Sequence, residues 1–468
     1  MERRNAWLSY DEAKKAEVMA LGEAYRKFLS KCKTERECVE ESARLAEEAG
    51  YRKLADVIAA GDTLKAGDKV YDTLYGKTMI MFHIGKQPME NGMNILGAHI
   101  DSPRLDLKQN PVYEEAEQVL LDTHYYGGIK KYQWVARPLA LHGVIAKKDG
   151  TVVKVCVGEA EDDPVFMISD LLPHLGQEQM KKNAAEVVTG ENLNVLVGHE
   201  PLVKKDSDSE EEKKEKEAVK ANLLKILKDT YDVEEEDFLS AEIEVVPAGA
   251  ARDLGFDRSM ILGYGHDDRI CAYTSLDAQL KVTDPERTAV CLLVDKEEIG
   301  SVGATGAHSR FFENAVAEVM ALKGETGDLA LRRALSRCKM LSSDVSAAFD
   351  PNYADVNEKK NAAYLGHGLA FNKYTGARGK SGSNDASAEY VACVRRVMDD
   401  AGVAFQTCEL GKVDAGGGGT IAYISANYGM QVIDSGIAVL NMHAPFEAAS
   451  KADIYEGRNG YLAFLMNA

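Results

Sequence analysis

Between residues 10 and 32, and again between 34 and 49, apolar side chains recur every three or four positions among Lys and Glu. That is the period of an amphipathic helix, and Gly50 stands where such a helix would stop. From 69 to 107 the pattern changes to short apolar runs, including 78–83 and 93–99, which predict strands. Residues 118–157 alternate β-branched, aromatic and polar side chains, with turns expected at Gly127-Gly128, Gly143 and Asp149-Gly150. Beyond Gly263, strand-like runs at 288–294, 338–342, 368–372 and 437–441 are separated by helical stretches at 311–323, 386–401 and 417–428. This alternation predicts an α/β fold, a mostly parallel sheet flanked by helices, with a β-rich segment inserted into it. The expected division is 1–105 and 251–468 for the α/β domain and 106–250 for the insertion.

Composition narrows the function classes. The chain has 468 residues, 45% hydrophobic and 28% charged, enough to bury a large core. Its net charge of −19 opposes a phosphate backbone, so no nucleic-acid partner is expected. No apolar run approaches the ~20 residues of a spanning helix, and the start has no apolar leader segment, so a cytoplasmic protein without a membrane partner is expected. Eight cysteines are dispersed without a C-x-x-C pair, as reduced thiols would be. Residues 204–217 (KKDSDSEEEKKEKE) hold no apolar side chain and read as a solvated loop.

The chemistry-bearing residues stand where strands end. The run 93–98 leads into His99-Ile-Asp101; 288–294 leads to Asp295-Lys-Glu297-Glu298; 338–343 ends at Asp344; and 437–442 ends at His443. In an open α/β sheet the carboxyl ends of parallel strands share one crevice. Each residue alone would pass for a cap or turn residue, but imidazoles and carboxylates converging there make a metal site. Adjacent Glu297 and Glu298 after a buried strand repel each other unless a cation compensates them. Asp267 and Asp268 add carboxylates just before a helix. A mixed His/carboxylate set favours Zn, Mn or Co over Ca or Mg without choosing among the three.

Taken together, G-A-H-I-D-S-P (97–103), G-H-D-D-R (265–269), D-K-E-E-I-G-S (295–301), S-S-D (342–344), D-A-G-G-G-G-T (414–420) and N-M-H-A-P-F-E (441–447) resemble the aspartyl aminopeptidase family of dinuclear metallopeptidases. Tyr126-Gly-Gly128 and Trp134 extend the resemblance into the insertion. It implies a zinc-peptidase-like α/β domain carrying a β-rich dimerisation domain, homo-oligomers that are tetrahedral dodecamers, and peptide substrates with acidic (Asp/Glu) N-terminal residues. It also implies two divalent ions per subunit, zinc first, with Mn or Co as alternatives. Asp267 would bridge them, His99 and Asp344 would complete one site, and Glu298 and His443 the other. Glu297 would be the general base and Asp101 would orient His99. Lys373, with Arg378 and Lys380 further along the loop, would receive an acidic side chain, and His174 would reach a neighbouring subunit's active site. Eukaryotic members of the family carry histidines soon after the position of Asp344, where this chain has Ala347 and Asp350.

Two readings compete. Gly376-Ala-Arg-Gly-Lys380-Ser381 suggests a phosphate-binding loop, but Tyr374 occupies the position of its first glycine. A catalytically silent metal scaffold would have no use for Glu297. The four glycines 416–419 suit close backbone approach, or amide groups offered to a peptide carbonyl or carboxylate.

Overall fold

The structure is a computed structural model that describes residues 4–203 and 217–468. The loop expected at 204–217 therefore lies, apart from Glu217, outside the described residues. Two compact units are present. One comprises the residues up to Ser102 with Ala251–Met442 and Phe446–Ala468; the other comprises Pro103–Ala250 and His443–Pro445.

The first unit is built on a nine-stranded sheet. Its order is Arg52–Lys53, Lys69–Leu74, Thr78–His83, Ala289–Val294, Asn94–His99, Lys339–Ser343, Gln431–Gly436, Leu369–Asn372 and Phe405–Thr407. The four central strands, Ala289–Val294 to Gln431–Gly436, run parallel, and antiparallel pairings flank them.

Alternation along Ala289–Val294 explains why helices cover both faces. Val290, Leu292 and Val294 pack with Phe312, Val316 and Val319 of the helix Phe311–Leu322. Cys291 and Leu293 point the other way, to Ile270 of His266–Leu280 and to Tyr25 and Phe28 of Glu12–Lys31. The helices read at 10–32 and 34–49 are Glu12–Lys31 and Glu35–Glu48, the second opened by a Thr34/Glu37 capping box.

A second, five-stranded sheet in this unit runs Arg252–Leu254, Met260–Gly263, Glu447–Ser450, Ala438–Leu440 and Ser346–Ala347. The strand read at 437–441 belongs here and not to the main sheet. The main-sheet strand is the preceding Gln431–Gly436, which the sequence pattern did not single out. The break falls at Gly436, where a Cβ would lie 1.7 Å from the carbonyl oxygen of Asp344. The helix read at 417–428 shrinks to Ala422–Ala426, because the glycines before it form a loop.

The other unit holds a six-stranded antiparallel sheet in the order Val152–Val157, Leu139–Ala146, Ala241–Pro247, Arg104–Glu115, Gln118–Tyr126 and Val195–Gly198. Gly143, read as a turn, lies inside Leu139–Ala146, where a Cβ would meet Glu242 O at 1.9 Å. Gly127 and Gly150 do sit at turns, both with positive φ.

Candidate functional site

Three parallel strands deliver the site. Val294 is in register with His99, so Asp295–Glu298 leave the sheet beside His99-Ile-Asp101, and Lys339–Ser343 on the other side of Asn94–His99 delivers Asp344. Asp267 enters from the start of the helix His266–Leu280, after Gly265 in the left-handed region. Its amide donates to Glu447 Oε2 at 3.0 Å, and its carbonyl accepts from Ser102 Oγ at 2.6 Å.

His99 is buried. Nδ1–H donates to the main-chain oxygen of Asp101 at 3.0 Å, and Nε2 faces Asp267 Oδ1 at 3.3 Å. Asp344 Oδ1 and Glu297 Oε2 lie 3.9 and 4.0 Å from the same Nε2. Ligand atoms of His99, Asp267 and Asp344 come within 4.8 Å of one another, as do those of His99, Glu297 and Glu298.

Asp101 does more than face His99. Its Oδ1 accepts the amide of Glu297 and its Oδ2 that of Glu298, each at 3.1 Å, so one buried carboxylate caps the short 3-10 turn Glu297–Ile299 and fixes both glutamates. Lys296 opens that turn in the left-handed region, at φ 70°.

Burial lowers the His99 pKa, but bonds to Asp101 and Asp267 and the charge of Glu297 more than reverse this and hold it well above the ordinary value. Burial, with repulsion from Asp268, Glu297 and Asp267, pushes Asp344 well up, while His99 pulls it down. Asp268, fully buried, is likewise pushed well up by desolvation. One imidazole and four carboxylates in so small a space fit a divalent cation of the zinc type, which neutralises the carboxylates and takes the place of a proton on the imidazole nitrogen that faces them. The neighbouring His266 is not part of this set. Tyr25 OH donates to its Nδ1 at 2.9 Å, its Nε2–H donates to Ile261 O, and burial brings it down to about 3.

His443 groups with the second unit, where its Nδ1–H donates to Gly128 O at 2.9 Å. His174 is exposed on a loop of that unit among exposed Leu171, Leu172 and Leu175. Lys373 and Lys380 share one partner, with Nζ atoms 2.7 and 2.9 Å from the two oxygens of Asp385. Among the described residues Arg378 makes no such pair. In the segment that suggested a phosphate loop, Ala377 pairs with Ser381 and the next helix opens only at Ala388, so Lys380 stands at no helix N-terminus.

Asp434 carried no signal in the sequence beyond being an acid within an apolar run. On Gln431–Gly436 it is buried, accepts from Thr420 Oγ1 at 2.6 Å, and is pushed up to about 7 by desolvation.

Carboxylates and an imidazole converging at the ends of parallel strands define an α/β metallohydrolase. A family model for "Aminopeptidase I zinc metalloprotease (M18)" matches residues 28–465. The chain belongs to this M18 family and is a zinc metallo-aminopeptidase by membership. It is 62% identical over 466 residues to a "Probable M18 family aminopeptidase 1" of Clostridium acetobutylicum, covering 100% of this chain and 98% of that one. The crystal structure of an M18 aminopeptidase from Thermotoga maritima superposes with a TM-score of 0.93 at 47% identity over the full length of both chains. The Saccharomyces cerevisiae mApe1 dodecamer shares the fold, with a TM-score of 0.74 at 21% identity and coverage of 96% and 97%. Among the described residues, no helix is long and apolar enough to cross a membrane.

Proposed function

We propose that this aminopeptidase cleaves the N-terminal peptide bond with two divalent ions per subunit, zinc first and Mn or Co as alternatives. Asp267 would be shared between them, His99 and Asp344 would hold one, and Glu298 and His443 the other. When bound, such ions polarise the scissile carbonyl and make a bound water acidic near neutral pH. Glu297 is the general base: it takes the proton of the attacking water and returns it to the departing amine. Asp101 fixes Glu297 and Glu298 through their amides and orients His99, so neither base nor ligands must reorganise during the reaction. The carboxylates left around the centre attract the free α-amino group, which accounts for removal of residues one at a time.

The observation that carries this reading is the placement of Glu297 Oε2 4.0 Å from His99 Nε2 beside an otherwise sufficient set of ligands. A preference for Asp or Glu at the N-terminus is the finer proposal, supported by Lys373, Arg378 and Lys380 on one loop. His174 of a neighbouring subunit would complete the site in a dodecamer like that of mApe1, and the compartment proposed is the cytoplasm. A panel of N-terminal aminoacyl substrates, assayed on chelated protein and after Zn, Mn or Co restoration, tests both levels. Metal-dependent turnover with Asp and Glu ahead of Leu and Met is expected. Turnover that survives chelation would overturn the mechanism, and a lead for Leu or Met would overturn only the acidic preference.

A further inference from the structure

One row of residues across the main sheet leads to the glycines 416–419. Gly97, Ser342 and Asp434 are in register on three adjacent parallel strands. Gly97 stands two positions before His99, and Ser342 two positions before Asp344. Two positions along a strand span about 7 Å and return to the same face. Thr420 and Ile421 lie across this row. Thr420 Oγ1 donates to Asp434 Oδ1 at 2.6 Å and accepts from the amide of Ala422 at 3.3 Å. Ile421 Cδ1 lies 3.6 Å from the place a Cβ on Gly97 would take. Gly419, which precedes Thr420, is therefore held beside the strand ends that carry His99 and Asp344.

The glycines differ in what demands them. A Cβ on Gly416 would lie 1.6 Å from Leu410 O, and one on Gly417 2.2 Å from Gly376 O, so packing within the chain excludes a side chain at both. At Gly419 no such reason applies. Its φ lies outside the left-handed region, and a Cβ there would meet nothing within 4 Å. Gly419 is exposed, and among the described residues its amide donates no hydrogen bond. A glycine that neither conformation nor packing requires, with an uncommitted amide beside a site that cleaves peptides, marks a close approach of another backbone.

We propose that the main chain of the bound peptide lies against Gly419, and that Asp434 is the positioning residue that holds Gly419 in place through Thr420. The inference rests on the aminopeptidase reading and deepens it with a wall of the site that meets peptide backbone. That contact is indifferent to the side chain of the N-terminal residue, and it aligns the scissile bond by main-chain contact.

The test uses full-length metal-loaded enzyme and tripeptides beginning with Asp, Asn or Leu, and reads kcat, KM, bound metal and Tm. Gly419→Ala raises KM about 10-fold or more for all three substrates, while kcat changes less than about 3-fold and metal content is that of the wild type. Its Tm stays level or rises, because alanine at a compatible φ in open space restricts only the unfolded chain. Thr420→Val removes the donor and raises KM in the same direction. Asp434→Asn keeps the acceptor oxygen and stays within about 3-fold of the wild type, whereas Asp434→Ala behaves as Thr420→Val does. The double variant Thr420→Val/Asp434→Ala is no worse than the poorer single one. An unchanged KM in Gly419→Ala would overturn the backbone contact. Additive effects of Thr420→Val and Asp434→Ala, or metal loss in either, would overturn the role given to Asp434. Absence of metal-dependent turnover in the wild type would overturn the aminopeptidase reading itself.

Discussion

The strand ends around His99 and the glycine-rich loops around Arg378 manage charge in opposite ways. At the strand ends, Asp101, Asp267 and Asp268 are almost wholly out of solvent and crowd one imidazole with like charges. In the loops, Lys373 and Asp385 remain 47% and 45% exposed, and the chain supplies its own counter-ion. A buried surplus of carboxylates must be neutralised by protons or by a cation from outside, whereas an exposed surplus of cations persists in water at little cost. The first arrangement therefore favours a bound metal, and the second needs none.

The largest expected effect probes that preference directly. Chelation lowers turnover more than about 100-fold and Zn restores it. Because His99 and Asp344 are both held above their ordinary pKa values, protons compete with metal for them, and apparent metal affinity falls as pH drops from 8 to 6. Titration of the chelated enzyme with Zn at several pH values checks the sign.

Next in size is the support of the ligands. In Asp101→Asn the side chain no longer accepts both glutamate amides, and metal affinity falls about 10–100-fold, read by competition with a chromogenic chelator. Unchanged affinity would mean that the turn at 297–299 holds its shape without the carboxylate.

Smaller still is a stability effect at Asp434. Its folded pKa of about 7 lies above that of an ordinary carboxyl, so the folded state keeps a proton that the unfolded chain has lost. Stability from this group is complete below about pH 4 and declines as pH rises through about 7. Melting curves should show the Tm of Asp434→Asn falling less than that of the wild type between pH 5 and 8, by about 2 °C.

The smallest effect sharpens the contrast from the loop side. Asp385→Asn removes an exposed pair of ion bridges worth about 0–1 kcal/mol each, so Tm should move by no more than about 2 °C. A larger loss would show that the loop ion pairs carry part of the fold.

Legibility in the sequence followed periodicity. Glu12–Lys31 and Ala289–Val294 were readable because each has one dominant period, of helix or of buried strand. The helix Lys451–Asn467 was not, because it is buried on nearly every side, Lys451, Asp453 and Glu456 included, and so has no polar face. Asp453 there accepts the amides of Gly366 and Gly368 at 2.7 Å, a partnership no local pattern announces. At the site, runs ending in His or paired carboxylates identified the candidates, since strand ends can be read without knowing strand order. The role of Asp101 as cap of the 297–299 turn, and the capture of Lys373 and Lys380 by Asp385, depend on contacts across 196, 12 and 5 positions that residue types alone do not reveal.

The central claim is that Glu297 moves protons while other residues hold the metals. Glu297→Gln should lower kcat by three orders of magnitude or more while mass-spectrometric metal content stays at two ions per chain. A variant that loses one ion along with its activity would make Glu297 a ligand and contradict the account.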